Sequence, residues 1–187
     1  MKPVSLVLGA GAGIGGTVAA KFASEGYHSY LCRRSDQEGL DKLIKGIEDA
    51  GGSASGSLMN AIEEDALEEV ITKVESDVGP IEVLVYNLGA QTGMKLLSQT
   101  THKEFEWGWR MASFGLFRVA KILCPLMAER GKGTFLVTSA TAAMRGNATQ
   151  HSHAAAMGAR RMLCQSLNAE FASKGIHVAH VVVDGAV

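Results

Sequence analysis

The segment Gly9-Ala10-Gly11-Ala12-Gly13-Ile14-Gly15-Gly16 constrains the fold more than any other part of this chain. It stands between an apolar run, Val4 to Leu8, and a stretch of helical spacing (Val18, Phe22) that stops at Gly26. Without Cβ atoms a backbone turns sharply and approaches a bound group closely, and a helix starting there offers free N–H groups and a partial positive charge. Strand, glycine turn and helix in that order predict a β-α unit able to hold a pyrophosphate, and so a dinucleotide. Two registers fit: G-x-x-x-G-x-G at Gly9, Gly13 and Gly15, or G-x-G-x-x-G at Gly11, Gly13 and Gly16. The first is preferred because Gly9 directly abuts the strand.

The remainder alternates in the same way. His28 to Cys32 reads as a second strand, and Ser35 with Glu38 as a capping box for a helix carrying Leu40, Leu43, Ile44 and Ile47, closed by Gly51 and Gly52. Ser53 to Met59 is a weak third strand, and an acidic helix from about Ile62 to Asp77 ends at Gly79-Pro80. Ile81 to Tyr86 has the continuous apolar character of a strand buried on both faces. Thr101 with Glu104 forms a second capping box, opening one long helix to about Glu129. Gly133 to Thr138, a helix from about Ser152 to Ser173, and His177 to Val183 complete the series. Six strands alternating with five helices predict a doubly wound α/β domain with a mostly parallel sheet, whose ligand site lies at the carboxyl ends of the strands.

Composition narrows the classes of function. Lys and Arg number 18 against 19 Asp and Glu, a net charge of −1, which supplies no basic face for nucleic acid. Cys32, Cys124 and Cys164 form no C-x-x-C pair and no metal-ligand spacing, so no metal site is expected, and a reducing, intracellular compartment fits them. Five glycines interrupt the N-terminal apolar run and argue against a secretory leader. No other stretch is read as a membrane span, and no membrane insertion is expected.

Gly9-x-x-x-Gly13-Ile14-Gly15, Asn87-Leu88-Gly89 after the fourth strand, and Gly175-Ile176-His177-Val178 running into Val183-Asp184-Gly185 together resemble the short-chain dehydrogenase/reductase family, in the family's order and across essentially the whole chain. The resemblance implies a Rossmann-type, three-layer α/β/α fold and an oxidoreductase. It also implies a nicotinamide dinucleotide held by Gly9, Gly13, Ile14, Gly15, Asn87 and Gly89. Homo-oligomers built on the fourth and fifth long helices, or membership of a larger assembly, follow from it too. Where the family has paired asparagines and an alanine, this chain has Tyr86, Asn87 and Leu88. Family members continue into a loop, a helix and a seventh strand, so residues 1–187 are expected to be one dinucleotide-binding domain, incomplete after its sixth strand.

Chemistry at the end of the second strand bears on the cofactor. A carboxylate there binds the ribose 2′-hydroxyl, whereas arginine accommodates a 2′-phosphate. Arg33 and Arg34 occupy this place, which favours NADP(H) over NAD(H); the alternative is a pair of solvated arginines. Asn60 stands where the family usually has an aspartate near the adenine.

Carbonyl reduction by hydride needs a proton donor, a group polarising the oxygen, and a charge that brings the donor's pKa towards neutrality. The family uses Tyr, Ser and Lys, with an Asn supporting a water relay. Counting back from Gly175, the Tyr place falls on His153, the Lys place on Met157, and the Ser place on Ala140, flanked by Ser139 and Thr141; the Asn place falls on Ala112. The leading expectation is a dinucleotide-binding protein without ordinary reductase chemistry, acting as a binding or assembly subunit. The alternative is an oxidoreductase with His153 as proton donor and Ser139 polarising the carbonyl. His153 also reads simply as a partly buried helix histidine, and Arg160 and Arg161 as a solvated face or a partner contact.

Overall fold

The computed structural model describes residues 2–89 and 92–185. The last two residues, on which the expected incompleteness of the fold bears, lie outside the described residues. Six strands form one sheet: β1 (Val4–Leu8), β2 (His28–Arg33), β3 (Ser53–Leu58), β4 (Ile81–Tyr86), β5 (Gly133–Ala140) and β6 (Ile176–Val183). Their order is β3-β2-β1-β4-β5-β6, and every pairing is parallel. The order reverses between β1 and β4, which opens a crevice at their carboxyl ends.

Helices α1 (Ile14–Ser24), α2 (Gln37–Asp49), α3 (Ala66–Asp77), α4 (His102–Trp109), α5 (Gly115–Arg130) and α6 (His151–Phe171) flank the sheet. Ala19 and Ala23 of α1 and Leu40 and Ile47 of α2 pack with Val7, Leu31, Val83 and Val85 on one face. On the other face α3, α5 and α6 bring Leu67, Ile71, Leu116, Leu123, Cys164 and Leu167 against Leu6, Leu84 and Phe135. This is the expected three-layer Rossmann-type arrangement. Within it β1 is buried along its whole length, and its one polar residue is satisfied locally: the Ser5 and Ser29 hydroxyls bond each other at 2.9 Å, and Ser29 donates to Ala19 O at 2.7 Å.

Several boundaries differ from the expected ones for identifiable reasons. Asp36, not Ser35, caps α2: its carboxylate accepts from Gly39 N at 2.9 Å, in a left-handed conformation with φ 75°. A turn closed by Glu63 N donating to Asn60 O delays α3 to Ala66. The Thr101–Glu104 capping box is present as expected, but the helix it opens has a π-helical segment, Arg110–Phe114, between α4 and α5. The tyrosine hydroxyl of Tyr86 donates to Met111 O at 2.6 Å in this segment, and the missing Cβ of Gly115 leaves room for that hydroxyl. The run 102–130 is long and apolar enough by length and composition to cross a membrane, contrary to the expectation that none is. Half of its most apolar window is buried in this fold, and α5 contributes its apolar face to the core.

Candidate functional site

The glycine turn closes on the ends of β1, β2 and β4. Gly9 has φ +93°, and a Cβ there would stand 2.6 Å from Asn87 O. A Cβ on Gly15 would collide with Gly9 O and one on Gly16 with Gly11 O, whereas one on Gly11 meets nothing within 4 Å, so packing requires glycine at Gly9 and Gly15 of the preferred register and at Gly16 of the other. Gly13 precedes α1 with no side chain capping the helix. The donor set is thus a helix N-terminus over a cradle that side chains would fill, which fits a pyrophosphate. Asn87 holds the turn in place: its Nδ2 donates to Gly9 O at 2.9 Å, and its Oδ1 accepts from Thr138 Oγ1 at 2.7 Å. Thr138 is thereby a positioning residue that sequence reading missed.

Arg33 and Arg34 do not converge. Neighbours at a strand end point to opposite faces of the sheet. Arg33 lies in the groove between α1 and α2, with Ala12, Thr17 and Lys42, whereas Arg34 borders a separate cavity with Ser57, Asn60 and Lys73. Arg33 is also paired with a carboxylate, Asp36 Oδ2 at 2.8 Å, and Gly39 leaves the space for that pair. Asn60 Nδ2 donates to Glu63 Oε1 at 2.9 Å. The basic group beside the glycine turn is therefore Arg33 with Lys42.

At the other end of the crevice a cleft of about 400 Å³ is lined by Ile14, Asn87, Gly89, Ser139, His153 and Arg160, among others. Ser139, 8% exposed, and His153, 9% exposed, come together here from β5 and the first turn of α6. Ser139 Oγ lies 3.7 Å from Met157 Sδ. Ala112 and Met157 are buried together with Ala142, Ala143 and Ala156, and Ala140 packs against them, so the positions that the family resemblance matches to Asn, Lys and Ser lie in one apolar cluster. Ser113, beside the Asn place, spends its hydroxyl on Ala156 O at 2.9 Å.

Arg160 is the largest departure from expectation, because it is neither a solvated face nor a partner contact: it is 1% exposed. Its Nε donates to Ala112 O at 2.9 Å, Nη1 to Thr138 O at 2.8 Å and Nη2 to Leu88 O at 2.7 Å, and its guanidinium lies 5.1 Å from the Tyr86 ring centroid. Ala112 lies within the π-helical segment Arg110–Phe114. Burial lowers the Arg160 pKa, but a guanidinium remains charged at neutral pH. On β6, His180 is held towards its neutral form, first by burial and then by the charges of Arg160 and Arg161. The helical stripe Met157, Arg160, Cys164, Leu167 was the available signal that Arg160 faces inward.

The chain matches a family model described as short chain dehydrogenase over residues 3–186. It is 29% identical over 175 residues to a 3-oxoacyl-(acyl-carrier-protein) reductase of Thermotoga maritima, covering 94% of this chain and 70% of that protein. It is 28% identical over 175 residues to a 2-dehydro-3-deoxy-D-gluconate 5-dehydrogenase of Formosa agariphila, covering 94% of this chain and 66% of that one. Among solved structures, a short-chain dehydrogenase from Rhodopseudomonas palustris superposes with TM-score 0.90 at 33% identity, covering 96% of this chain and 84% of that one. A gluconate 5-dehydrogenase from Burkholderia cenocepacia, in complex with NADP and tartrate, superposes with TM-score 0.88 at 26% identity, covering 97% and 71%. A sheet order, a glycine turn and a family match that agree along nearly the whole length lead to one conclusion: the chain belongs to the short-chain dehydrogenase/reductase family.

Proposed function

We infer that this chain binds NADP(H) across the crevice and has lost ordinary carbonyl and alcohol oxidoreductase chemistry, serving as a binding or assembly subunit. The observation that carries this reading is the apolar cluster of Ala112, Ala140 and Met157 at places where the family keeps catalytic side chains. Loss of general acid catalysis alone costs roughly 10²- to 10⁴-fold, and loss of an oxyanion donor about 10²- to 10³-fold. Gly9, Gly13, Ile14 and Gly15 would take the pyrophosphate, with Asn87 and Gly89 beside the nicotinamide end. Arg33, aided by Lys42, is the candidate for a 2′-phosphate; Arg34 and Asn60 border the adenosine side. That reading matches the NADP named in the complex of the Burkholderia cenocepacia structure. Assembly is supported by the outer face of α4 and α5, where the half-exposed rings of Trp109 and Phe117 flank and stack on Phe114. Three free, buried thiols suit a reducing compartment.

A second reading keeps the chemistry of the relatives, with His153 as proton donor and Ser139 polarising a carbonyl. The observation favouring it is that both side chains border the same cleft as Ile14 and Asn87. Imidazole has an ordinary pKa near 6.5 and donates a proton without help from lysine. The experiment is NADPH oxidation by the purified protein with a 3-oxoacyl thioester and keto sugar acids, the substrate classes suggested by the relatives' names. Binding of NADPH without turnover is the expected result. Turnover that declines as pH rises through the histidine pKa and disappears in His153→Ala establishes the second reading instead.

A further inference from the structure

A doubly wound sheet binds a dinucleotide with one mononucleotide over each half. With the glycine turn and Arg33 on the β1–β3 half, the nicotinamide half falls to the cleft over β4, β5 and β6. Among its described lining residues Arg160 is the sole Lys, Arg, Asp or Glu side chain, so no carboxylate lines the cleft. Asp184, between the lining residues Val183 and Gly185, is exposed and makes no ion pair with it. All three hydrogen bonds of the guanidinium go to neutral carbonyls, and no ion pair among the described residues includes it. The two ionisable groups that most nearly offset it, Tyr86 and Cys164, are both held neutral by burial, with the Cys164 thiol pushed up to about 11. The charge is thus buried, fixed in place and uncompensated among the described residues.

We propose that Arg160 makes this cleft selective for the reduced dinucleotide. The inference rests on the NADP(H)-binding reading above. Reduced and oxidised forms share every phosphate, ribose and base; they differ in the nicotinamide ring, which is neutral when reduced and a cation when oxidised. Contacts on the adenosine half therefore cancel in the ratio of the two affinities, and the remaining electrostatic difference is set by the charge facing the ring. Two unit charges roughly 12 Å apart at an effective dielectric of about 20 repel enough to change a binding constant about tenfold, and closer approach strengthens the effect. A family lysine at Met157 is not needed for this potential, because Arg160 supplies it from one turn further along α6. Arg160 is a positioning residue here: its carbonyl bonds hold the charge still, and its field acts on the ring. A protein with this preference would respond to the ratio of reduced to oxidised cofactor, a use that needs no turnover.

The test is calorimetric titration of the purified chain with NADPH, NADP+ and 2′,5′-ADP. NADPH is expected to bind at least tenfold more tightly than NADP+. Arg160→Lys should keep that ratio, whereas Arg160→Gln should lower it about tenfold while 2′,5′-ADP binds unchanged. Ser139→Asp leaves the guanidinium in place and adds a counter-charge to the cleft, so it too should lower the ratio and serves where Arg160→Gln does not fold. Equal affinities in the wild-type protein, or a ratio unmoved in a folded Arg160→Gln or Ser139→Asp variant, overturn the proposal while leaving dinucleotide binding standing. Absence of binding by both nicotinamide forms overturns the two together.

Discussion

Gly9 and Gly26 have nearly the same φ, +93° and +92°, in very different surroundings. A Cβ at Gly26 meets nothing within 4 Å, whereas one at Gly9 stands 2.6 Å from Asn87 O. Both substitutions to alanine carry left-handed strain of about 1–2 kcal/mol, and only Gly9→Ala also displaces the Asn87 carbonyl just after β4. Denaturant titration should show Gly9→Ala as the less stable of the two, and NADPH binding should weaken at least tenfold in Gly9→Ala alone. Equal stabilities would mean that the turn yields at no cost. Arg160 makes a related point about single residues: a charge that on the surface would do little here ties Leu88, Ala112 and Thr138, from three separate segments, to one helix.

Among the elements, the start of α4 is the clearest case of local sequence dictating local structure. Thr101 Oγ1 accepts from Glu104 N at 3.2 Å, and the Glu104 carboxylate accepts from Thr101 N at 3.0 Å. Lys95 is paired with the same carboxylate. The Lys95 bond and the two from Thr101 hold the Glu104 pKa down, to about 2. A carboxyl whose folded pKa lies below its unfolded value stabilises the fold above the unfolded pKa and loses that contribution as pH falls through the folded one. Glu104→Gln should therefore lower Tm at pH 7, with the difference from wild type narrowing below about pH 4 and vanishing near pH 2. Thermal melts across that range check it, and a difference independent of pH would show that the capping geometry alone matters. The π-helical segment beyond α4 is the contrasting case, since the side chains that donate to its carbonyls, Tyr86 and Arg160, come from β4 and α6.

At the scale of the whole molecule, the sheet order places two nucleotide-sized halves around the reversal between β1 and β4, and a ligand spanning both would lock them together. Anything that binds the folded state alone stabilises it by mass action, about 2.7 kcal/mol at a hundredfold excess over Kd. For a chain of this length that corresponds to a Tm rise of roughly 5 to 10 °C. Differential scanning fluorimetry with NADPH should show it, and the rise should be smaller with NADP+ at the same concentration. No shift with any nicotinamide dinucleotide would count against the crevice as a nucleotide site.

The alternation of strands and helices, the Gly9–Gly13–Gly15 turn and the Thr101 cap were legible in the sequence because each depends on neighbours within a few residues: a missing Cβ, an apolar period, a side chain reaching back to its own helix. The order of the strands and the meaning of the charges were decided only in three dimensions. Arg33 and Arg34 look like one phosphate site until the strand end turns them to opposite sides and Asp36 takes one of them. Arg160 looks like surface until α6 docks and buries it against carbonyls from distant segments. The physical reason is the same in both cases: a hydrophobic period is a local property, whereas the energy of a charge depends on the dipoles, charges and solvent that the fold brings around it.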